Sequence, residues 1–156
     1  MSSPSENTLR LLTFAACVAL LHGCESRGPS PAAVTIRGRT WQVELATTPQ
    51  ERYQGLSGRL YLPEDRGMLF AHPRQEVLEY CMRGCHIPLD IAFIDSSGHV
   101  VAMHTMAVED DLVGRTVYGS GAAARYALEL AAGSLERAGV RIGDKALFSG
   151  HIPSGS

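Results

Sequence analysis

The most reactive side chains of the chain fall in one short segment, Cys81-Met82-Arg83-Gly84-Cys85-His86. In an oxidising compartment, an even pair of thiols such as Cys81 and Cys85 indicates a disulfide. Along a straight strand their Cα atoms would lie roughly 13 Å apart, too far to bridge, so the chain must turn between them. Gly84 supplies the backbone freedom for that turn. We therefore predict a disulfide between Cys81 and Cys85, a local staple worth about 2 kcal/mol for so short a loop.

The same segment also has the composition of half a metal site. Thiolates bind soft metals and imidazole binds zinc or copper, so Cys81, Cys85 and His86 form an alternative ligand set. His104, in the segment HVVAMHTM, would complete the set if the fold brought it close. The segment CMRGCH also resembles a stretched haem-attachment motif, but three residues separate its cysteines where two are usual. We expect no metal and no other cofactor, with soft-metal or redox chemistry as the alternative.

Four residues are candidates for ligand binding: Met82, Arg83, Asp90 and Glu129. A cation and two carboxylates that converged on one cleft would bind a polar ligand or form an acid–base pair. Each carboxylate also has a purely structural interpretation. Asp90 stands where a strand begins, so its side chain can accept backbone N–H groups of the preceding turn. Glu129 lies between two leucines, so in a strand it faces away from them, exposed or paired.

The N-terminus has the pattern of an export signal. Residues 11–21 are an uncharged apolar run of eleven residues, whereas a membrane span needs about 20. The run ends in Leu21-His22-Gly23-Cys24, which resembles the lipobox of bacterial lipoproteins. The resemblance implies cleavage before Cys24 and acylation of its thiol. The expected partner is then a lipid bilayer, and the expected location is the bacterial cell envelope on its periplasmic side.

These features divide the chain into four segments. Residues 1–23 form the predicted signal peptide, and residues 24–33 contain the lipidated cysteine and a flexible Pro/Ser/Gly tether. Residues 34–150 form a single β-rich domain, and residues 151–156 form a disordered tail. A chain of 156 residues has room for one such domain and not for two.

Composition and motifs exclude several large functional classes. Fourteen Lys+Arg against sixteen Asp+Glu leave no basic stripe for a phosphate backbone, so we expect no nucleic-acid partner. The sequence contains no GxSxG elbow, no phosphate-binding loop and no HExxH helix. The usual sequence signatures of hydrolases, nucleotide triphosphatases and zinc proteases are therefore missing.

Alternating apolar residues predict a mainly β domain. The segment TWQVELA alternates as a half-buried strand does, and VTIR before it can pair with it through Arg37-Gly38-Arg39. Further strands are expected at 67–70, 76–82, 89–95 and 99–106, the last two joined by the turn Asp-Ser-Ser-Gly. Thr48-Pro49-Gln50-Glu51 is a capping box that opens a short helix. Frequent turns between short strands indicate an antiparallel β-sandwich or a barrel-like domain with one or two short helices.

Four segments together identify a family resemblance: GMLF, MRGCHIPLDIAFID, ARYALELAAG and GVRIGDKA. In this order and spacing they resemble the bacterial and archaeal family called domain of unknown function 192, over about residues 41–148. The resemblance implies that the alanine-rich ARYALEL is a strand and GSLERAG a short helix, although propensity alone favours one long helix. Where the family often has a tryptophan and an asparagine-threonine pair around the methionine, this chain has Cys81, Gly84 and Cys85.

The first functional hypothesis is a non-enzymatic module of the cell envelope that binds an unidentified envelope ligand or protein near residues 82–90. The second is a redox or soft-metal protein that uses Cys81, Cys85 and His86. The third is a hydrolase-like enzyme that uses Arg83, Asp90 and Glu129. Of these we favour the first.

The lipobox resemblance predicts that Cys24 is acylated. Wild-type protein should be recovered in the membrane fraction and labelled by exogenous fatty acid, whereas Cys24→Ala should lose the label because no thiol remains to be acylated. Label that persists in Cys24→Ala would contradict the lipoprotein assignment.

Overall fold

The computed structural model describes residues 31–153, most of which form a single curled sheet. In chain order the elements are β1 (Ala33–Ile36), β2 (Arg39–Ala46), α1 (Pro49–Gln54), β3 (Arg66–Tyr80), β4 (Leu89–Ile94), β5 (Val100–Met106), β6 (Tyr118–Ala131), α2 (Ser134–Arg137) and β7 (Ala146–Ser149). The predicted signal peptide and the acylation site Cys24 lie outside the described residues. Within the described part, neither helix has the length and apolarity to cross a membrane. The mainly β fold with short helices confirms the prediction from sequence.

The sheet has the strand order β5-β4-β6-β3-β2-β1-β7. Neighbouring strands are antiparallel except β2 and β3, which pair in parallel because α1 and the chain after it return to the starting end of the sheet. The two edge strands meet at one corner. There the N–H of Val100 donates to the carbonyl of Asp144 at 2.9 Å, and the N–H of Gly143 donates to the carbonyl of Val100 at 2.8 Å. These bonds join β5 to the segment that leads into β7, and the curled sheet has the shape of a half-barrel.

The β1–β2 hairpin forms as predicted. Arg37 and Gly38 have φ angles of 50° and 80°, the left-handed pair that a two-residue hairpin turn requires. The β4–β5 hairpin also forms where the Asp-Ser-Ser-Gly segment predicts it. There the N–H of Asp95 donates to the carbonyl of His99 at 2.9 Å.

One pair of predicted strands is a single strand in the structure. Segments 67–70 and 76–82 were expected to be separate, but β3 runs continuously from Arg66 to Tyr80. Its pairing with β6 is interrupted between Ala71 and Glu76. Pro73 lies in this interval and has no N–H for the ladder, so the strand is irregular there without ending.

Alternation along the strands separates two hydrophobic cores on the two faces of the sheet. On one face, here called the cavity face, Phe93 of β4, Ala127 of β6 and Phe70 of β3 lie side by side. The residues one position along each strand pack on the opposite face, and among them are Ala92, Leu128 and Leu69. A side chain's position along its strand therefore decides which core it joins.

The alanine-rich segment is a strand, as the family resemblance implies. It forms the second half of β6, which pairs with β3 on one side and β4 on the other. The short helix α2 follows directly. Two ladders of backbone hydrogen bonds and a buried leucine pair override the helix propensity of the alanines.

Asp90 anchors α2 to the sheet from the face opposite the cavity. One carboxylate oxygen accepts the hydroxyl of Thr105 at 2.8 Å, and the other accepts the backbone N–H of Leu135 at 2.9 Å. The N-cap residue of α2 is Gly133, which has no side chain to accept that N–H. Asp90 of β4 therefore acts as the cap. The carboxylate of Asp90 therefore has a structural function, as the structural interpretation expects, but the N–H that it accepts belongs to α2 and not to the turn before β4.

Removing the Asp90 carboxylate should destabilise the domain. We expect Asp90→Ala to lower the free energy of unfolding by about 3 kcal/mol, because the buried N–H of Leu135 loses its acceptor. Asp90→Asn keeps one acceptor oxygen and should cost less. Urea unfolding of the three proteins measures both values. A change below about 0.5 kcal/mol for Asp90→Ala would contradict the capping role.

Candidate functional site

A cavity of about 440 Å³ opens on the cavity face, between the sheet and α1. Phe70 and Glu129 form its floor on the sheet. Its walls are formed by α1, the turn after α1 and residues 81–86, here called the cysteine segment. Its lining residues are Pro49, Arg52, Tyr53, Gln54, Gly55, Leu56, Ser57, Phe70, His72, Glu79, Tyr80, Cys81, Arg83, Cys85 and Glu129. Its volume is in the range of pockets that bind small molecules.

The capping box holds α1 over the cavity. Thr48 is the N-cap, and the carboxylate of Glu51 accepts the backbone N–H groups of Thr47 at 2.8 Å and Thr48 at 2.9 Å. These hydrogen bonds lower the pKa of Glu51 to about 2. Arg52 then donates to the carbonyl oxygens of Thr47 at 2.5 Å and Ala71 at 3.1 Å, which ties the helix to β3.

The cysteine segment is fixed by bonds on two sides. The carbonyl of Gly84 accepts the N–H of Gly58 at 2.8 Å, and the N–H of Gly84 donates to the carbonyl of Leu112 at 2.9 Å. Ser57 donates its hydroxyl proton to the carbonyl of Arg83 at 2.8 Å. Gly84 has a φ of 65°, so the turn predicted at this glycine is present and uses its left-handed conformation.

Arg83 is held at the mouth of the cavity. Its guanidinium lies 3.7 Å from the centre of the Tyr53 ring and also donates to the carbonyl oxygen of Tyr53. Tyr53 is itself largely exposed. The stacked and hydrogen-bonded arrangement holds the positive charge of Arg83 against α1.

Glu129 is the least expected feature of the site. Its side chain faces away from Leu128 and Leu130, as predicted, but it is only 5% exposed and has no hydrogen bond or ion pair within the described residues. The expectation that it is exposed or paired is therefore wrong. On the same face its neighbours across the sheet are Met68 and Ile91, both apolar. Burial raises the pKa of Glu129 to about 8, so the carboxyl group carries its proton at neutral pH.

Close packing of β3 against β6 positions this carboxyl group. Gly67 has no side chain, and a Cβ atom there would lie 2.6 Å from the carbonyl oxygen of Glu129 and 2.6 Å from a methyl group of Leu130. Only glycine allows this approach. The first glycine of the GMLF segment therefore has a direct structural link to the site.

Tyr80 and His72 form a hydrogen-bonded pair beside Glu129. Nε2 of His72 lies 3.1 Å from the hydroxyl oxygen of Tyr80. Burial, then the charge of Glu129, raises the pKa of Tyr80 well above its usual value. Burial, then the charge of Arg52, lowers the pKa of His72. All of these effects favour uncharged groups inside the cavity.

A protein-family model matches residues 32–148 of the chain, a range that includes every residue lining the cavity. That family is DUF192, described as an uncharacterized ACR. The chain belongs to the DUF192 family. No curated protein matches the chain.

Crystal structures that resemble this DUF192 domain include those of two bacterial proteins. A candidate transcription regulator from Sinorhizobium meliloti 1021 is 32% identical, with a TM-score of 0.68 over 77% of this chain and 95% of that one. A protein of unknown function from Novosphingobium aromaticivorans DSM 12444 is 28% identical, with a TM-score of 0.68 over 88% of this chain and 99% of that one. Both similarities extend over nearly the whole length of the other chain.

The structure brings together only part of the predicted ligand-binding set. Arg83 and Glu129 line the same cavity. Met82, next to Arg83, is buried in the hydrophobic core of the cavity face and does not line the cavity. Asp90 lies on the opposite face, because it is directly across from Leu130 rather than Glu129. The three charged residues therefore do not converge.

The alternative metal ligands are also separated. Cys81 and Cys85 line the cavity, but His86 is exposed and Nε2 of His104 hydrogen-bonds the carbonyl oxygen of Gly119 at 2.8 Å. Among residues 31–153, no three His, Cys, Asp or Glu side chains are arranged to hold a metal ion.

Cys81 and Cys85 are free thiols in the structure, so the predicted disulfide is not shown. Burial, followed by the charges of Glu129 and Cys81, raises the pKa of the Cys85 thiol to about 11. A thiol with such a pKa is a poor nucleophile and a poor metal ligand, since both roles require the thiolate.

Sequence reasoning did not identify Tyr53, Phe70, His72 and Tyr80 as site residues. The capping box located α1, but nothing in its sequence indicated that the helix covers Glu129. Aromatic residues in strands are usually assigned to a core, and only the assembled fold shows that these border a cavity.

Replacing Glu129 with glutamine should remove a pH-dependent instability. In the folded protein the pKa of Glu129 is about 8, against 4.5 in the unfolded chain, so the folded state holds the proton more tightly. Stability from this group is therefore complete below about pH 4.5 and falls as the pH rises to about 8, by up to about 1.4 kcal/mol per pH unit. Glu129→Gln, which is permanently neutral, should match wild type near pH 5 and be more stable at pH 8.

Urea unfolding between pH 5 and 9 measures this difference. Glu136→Gln, a substitution at an exposed position of α2, is the matched control and should follow wild type throughout. A constant difference between Glu129→Gln and wild type would mean that the carboxyl group is already ionised in the fold.

Proposed function

We propose that this DUF192 protein is a lipid-anchored binding module of the bacterial cell envelope, which binds a small molecule in the cavity between α1 and the sheet. The observation that carries the proposal is Glu129, a carboxyl group with no partner among the described residues, on the floor of an open cavity. Burying an unsatisfied polar group costs free energy, and a ligand that hydrogen-bonds to it recovers that cost.

The preformed walls also support binding. The capping box fixes α1, and backbone hydrogen bonds on two sides fix the cysteine segment. A cavity with fixed walls loses little conformational entropy when a ligand enters. The lipid anchor remains a prediction from the sequence at Cys24, tested by the fatty-acid labelling described above.

Binding is favoured over catalysis because the polar groups of the cavity are neutral or already engaged. Arg83 is stacked on Tyr53, and Asp90 is bonded to Thr105 and Leu135 on the other face. The raised pKa of Cys85 argues against a thiolate nucleophile. The hydrolase-like and metal-handling hypotheses thus lose the residues on which they depended.

The description of the Sinorhizobium relative suggests gene regulation as another function. We do not extend it to this chain, because fourteen Lys+Arg against sixteen Asp+Glu offer little net attraction for a phosphate backbone. The predicted disulfide between Cys81 and Cys85 remains a prediction. Thiol titration of the exported protein before and after reduction would test it.

Alkylation of the two cavity thiols by iodoacetamide tests the binding function. Because Cys81 lines the cavity and is partly exposed, a bound fragment should slow its alkylation, whereas Cys85 is buried and should react slowly in either case. The full chain is first reduced, so that both thiols are free, and is then screened against a diverse fragment library; the alkylated cysteine is identified by mass spectrometry. A library in which no fragment slows the alkylation of Cys81 would contradict the proposal.

A further inference from the structure

We propose that the ligand enters the cavity with a cationic group, a primary ammonium or a guanidinium, that lies against Glu129 beside Phe70 and Tyr80. This inference rests on the proposed binding function and specifies its ligand class. It is carried by the position of the carboxyl group, by the aromatic side chains beside it and by the placement of Arg52 and Arg83 on the cavity walls.

The floor of the cavity holds a carboxyl group that has no counterion among the described residues and becomes negative when it loses its proton. The strands on either side of Glu129 contribute Met68 and Ile91 to its face, and neither can donate a hydrogen bond. An N–H donor that also brings positive charge is the group that best compensates a buried carboxylate. The described residues supply no such donor, so a ligand must.

The aromatic side chains at the floor add a second attraction for a cation. The rings of Phe70 and Tyr80 meet edge to face, with their centres 5.0 Å apart. Both residues line the cavity together with Glu129. Aromatic rings beside a carboxylate favour an organic cation over a neutral or anionic group. The ring of Tyr53 is not available for this purpose, since Arg83 already stacks on it.

The charged and titratable groups around Glu129 set the orientation of the ligand. From α1 comes Arg52, and from the cysteine segment comes Arg83 with the two thiols. From β3 come Tyr80, His72 and the exposed Glu79. The two arginines repel a cation near the walls that they occupy, so the positive group of the ligand belongs at the floor, at its inner end.

Binding of a cation changes the protonation of the floor. At neutral pH the carboxyl group of Glu129 carries a proton, because its pKa is about 8. An ammonium group that binds against it stabilises the carboxylate, so the O–H bond breaks and one proton goes to the solvent while the ammonium keeps its own. The affinity for a cation should therefore rise with pH until it levels off near the pKa.

The experiment compares three probes with the same number of carbon atoms on the full chain: n-butylammonium, n-butanol and butyrate. Affinities are measured by ligand-observed NMR between pH 6 and 9, where an alkylammonium keeps its charge as a lysine side chain does. We expect n-butylammonium to bind best, with an affinity that increases about tenfold per pH unit from pH 6 to pH 8 and then levels off. In Glu129→Gln the pH dependence should vanish and the affinity at pH 8 should fall at least tenfold, whereas Glu136→Gln should behave as wild type.

Two results would overturn the inference. If butyrate binds better than n-butylammonium and loses affinity above pH 8, the protonated Glu129 donates to an anion instead. If n-butylammonium binds no better than n-butanol, or binds with the same pH profile in Glu129→Gln, the carboxyl group does not select a cation. In either case the proposed binding function is tested separately, by whether fragments slow the alkylation of Cys81.

Discussion

The pairing of β6 between β3 and β4 is the constraint on which the rest of the structure depends. This strand runs through the middle of the sheet, and its register fixes which side chains share a face. Glu129 lies across from Met68 and Ile91 and so belongs to the cavity face, while Asp90 lies across from Leu130 and belongs to the other. A shift of β6 by one residue would move Glu129 to the opposite face and bring Leu128 and Leu130 to the cavity face.

The two buried carboxyl groups differ because, among the described residues, hydrogen-bond donors surround Asp90 but not Glu129. Asp90 accepts hydrogen bonds from the hydroxyl group of Thr105 and from the backbone N–H of Leu135, so its burial is compensated and it joins α2 to the sheet. Glu129 receives neither within the described residues, and the protein keeps it neutral by holding a proton. A polar group left without a partner lowers stability, and such groups are found where a ligand later completes the set.

The cysteine segment contains side chains of reactive types but contributes mainly to the shape of the cavity. Cys81, Arg83 and Cys85 line one wall, but the protein surroundings suppress the reactivity of two of them: burial keeps the Cys85 thiol protonated, and Tyr53 holds the Arg83 guanidinium. The segment contributes shape through the left-handed turn at Gly84 and its hydrogen bonds to both neighbours. In this family member the wall is thus built by backbone geometry as much as by side chains.

The sequence by itself determined what depends on near neighbours in the chain. The hairpin at Arg37 and Gly38 follows from left-handed turn residues, and the start of α1 from the capping box around Thr48. Alternation also indicated correctly that Glu129 faces away from its flanking leucines. The tertiary structure alone decided which elements cover each face, and therefore that α1 closes over Glu129 while Asp90 lies behind the sheet. The physical reason is that burial, and with it the protonation of a carboxyl group, is set by residues distant in sequence, whose approach no local pattern encodes.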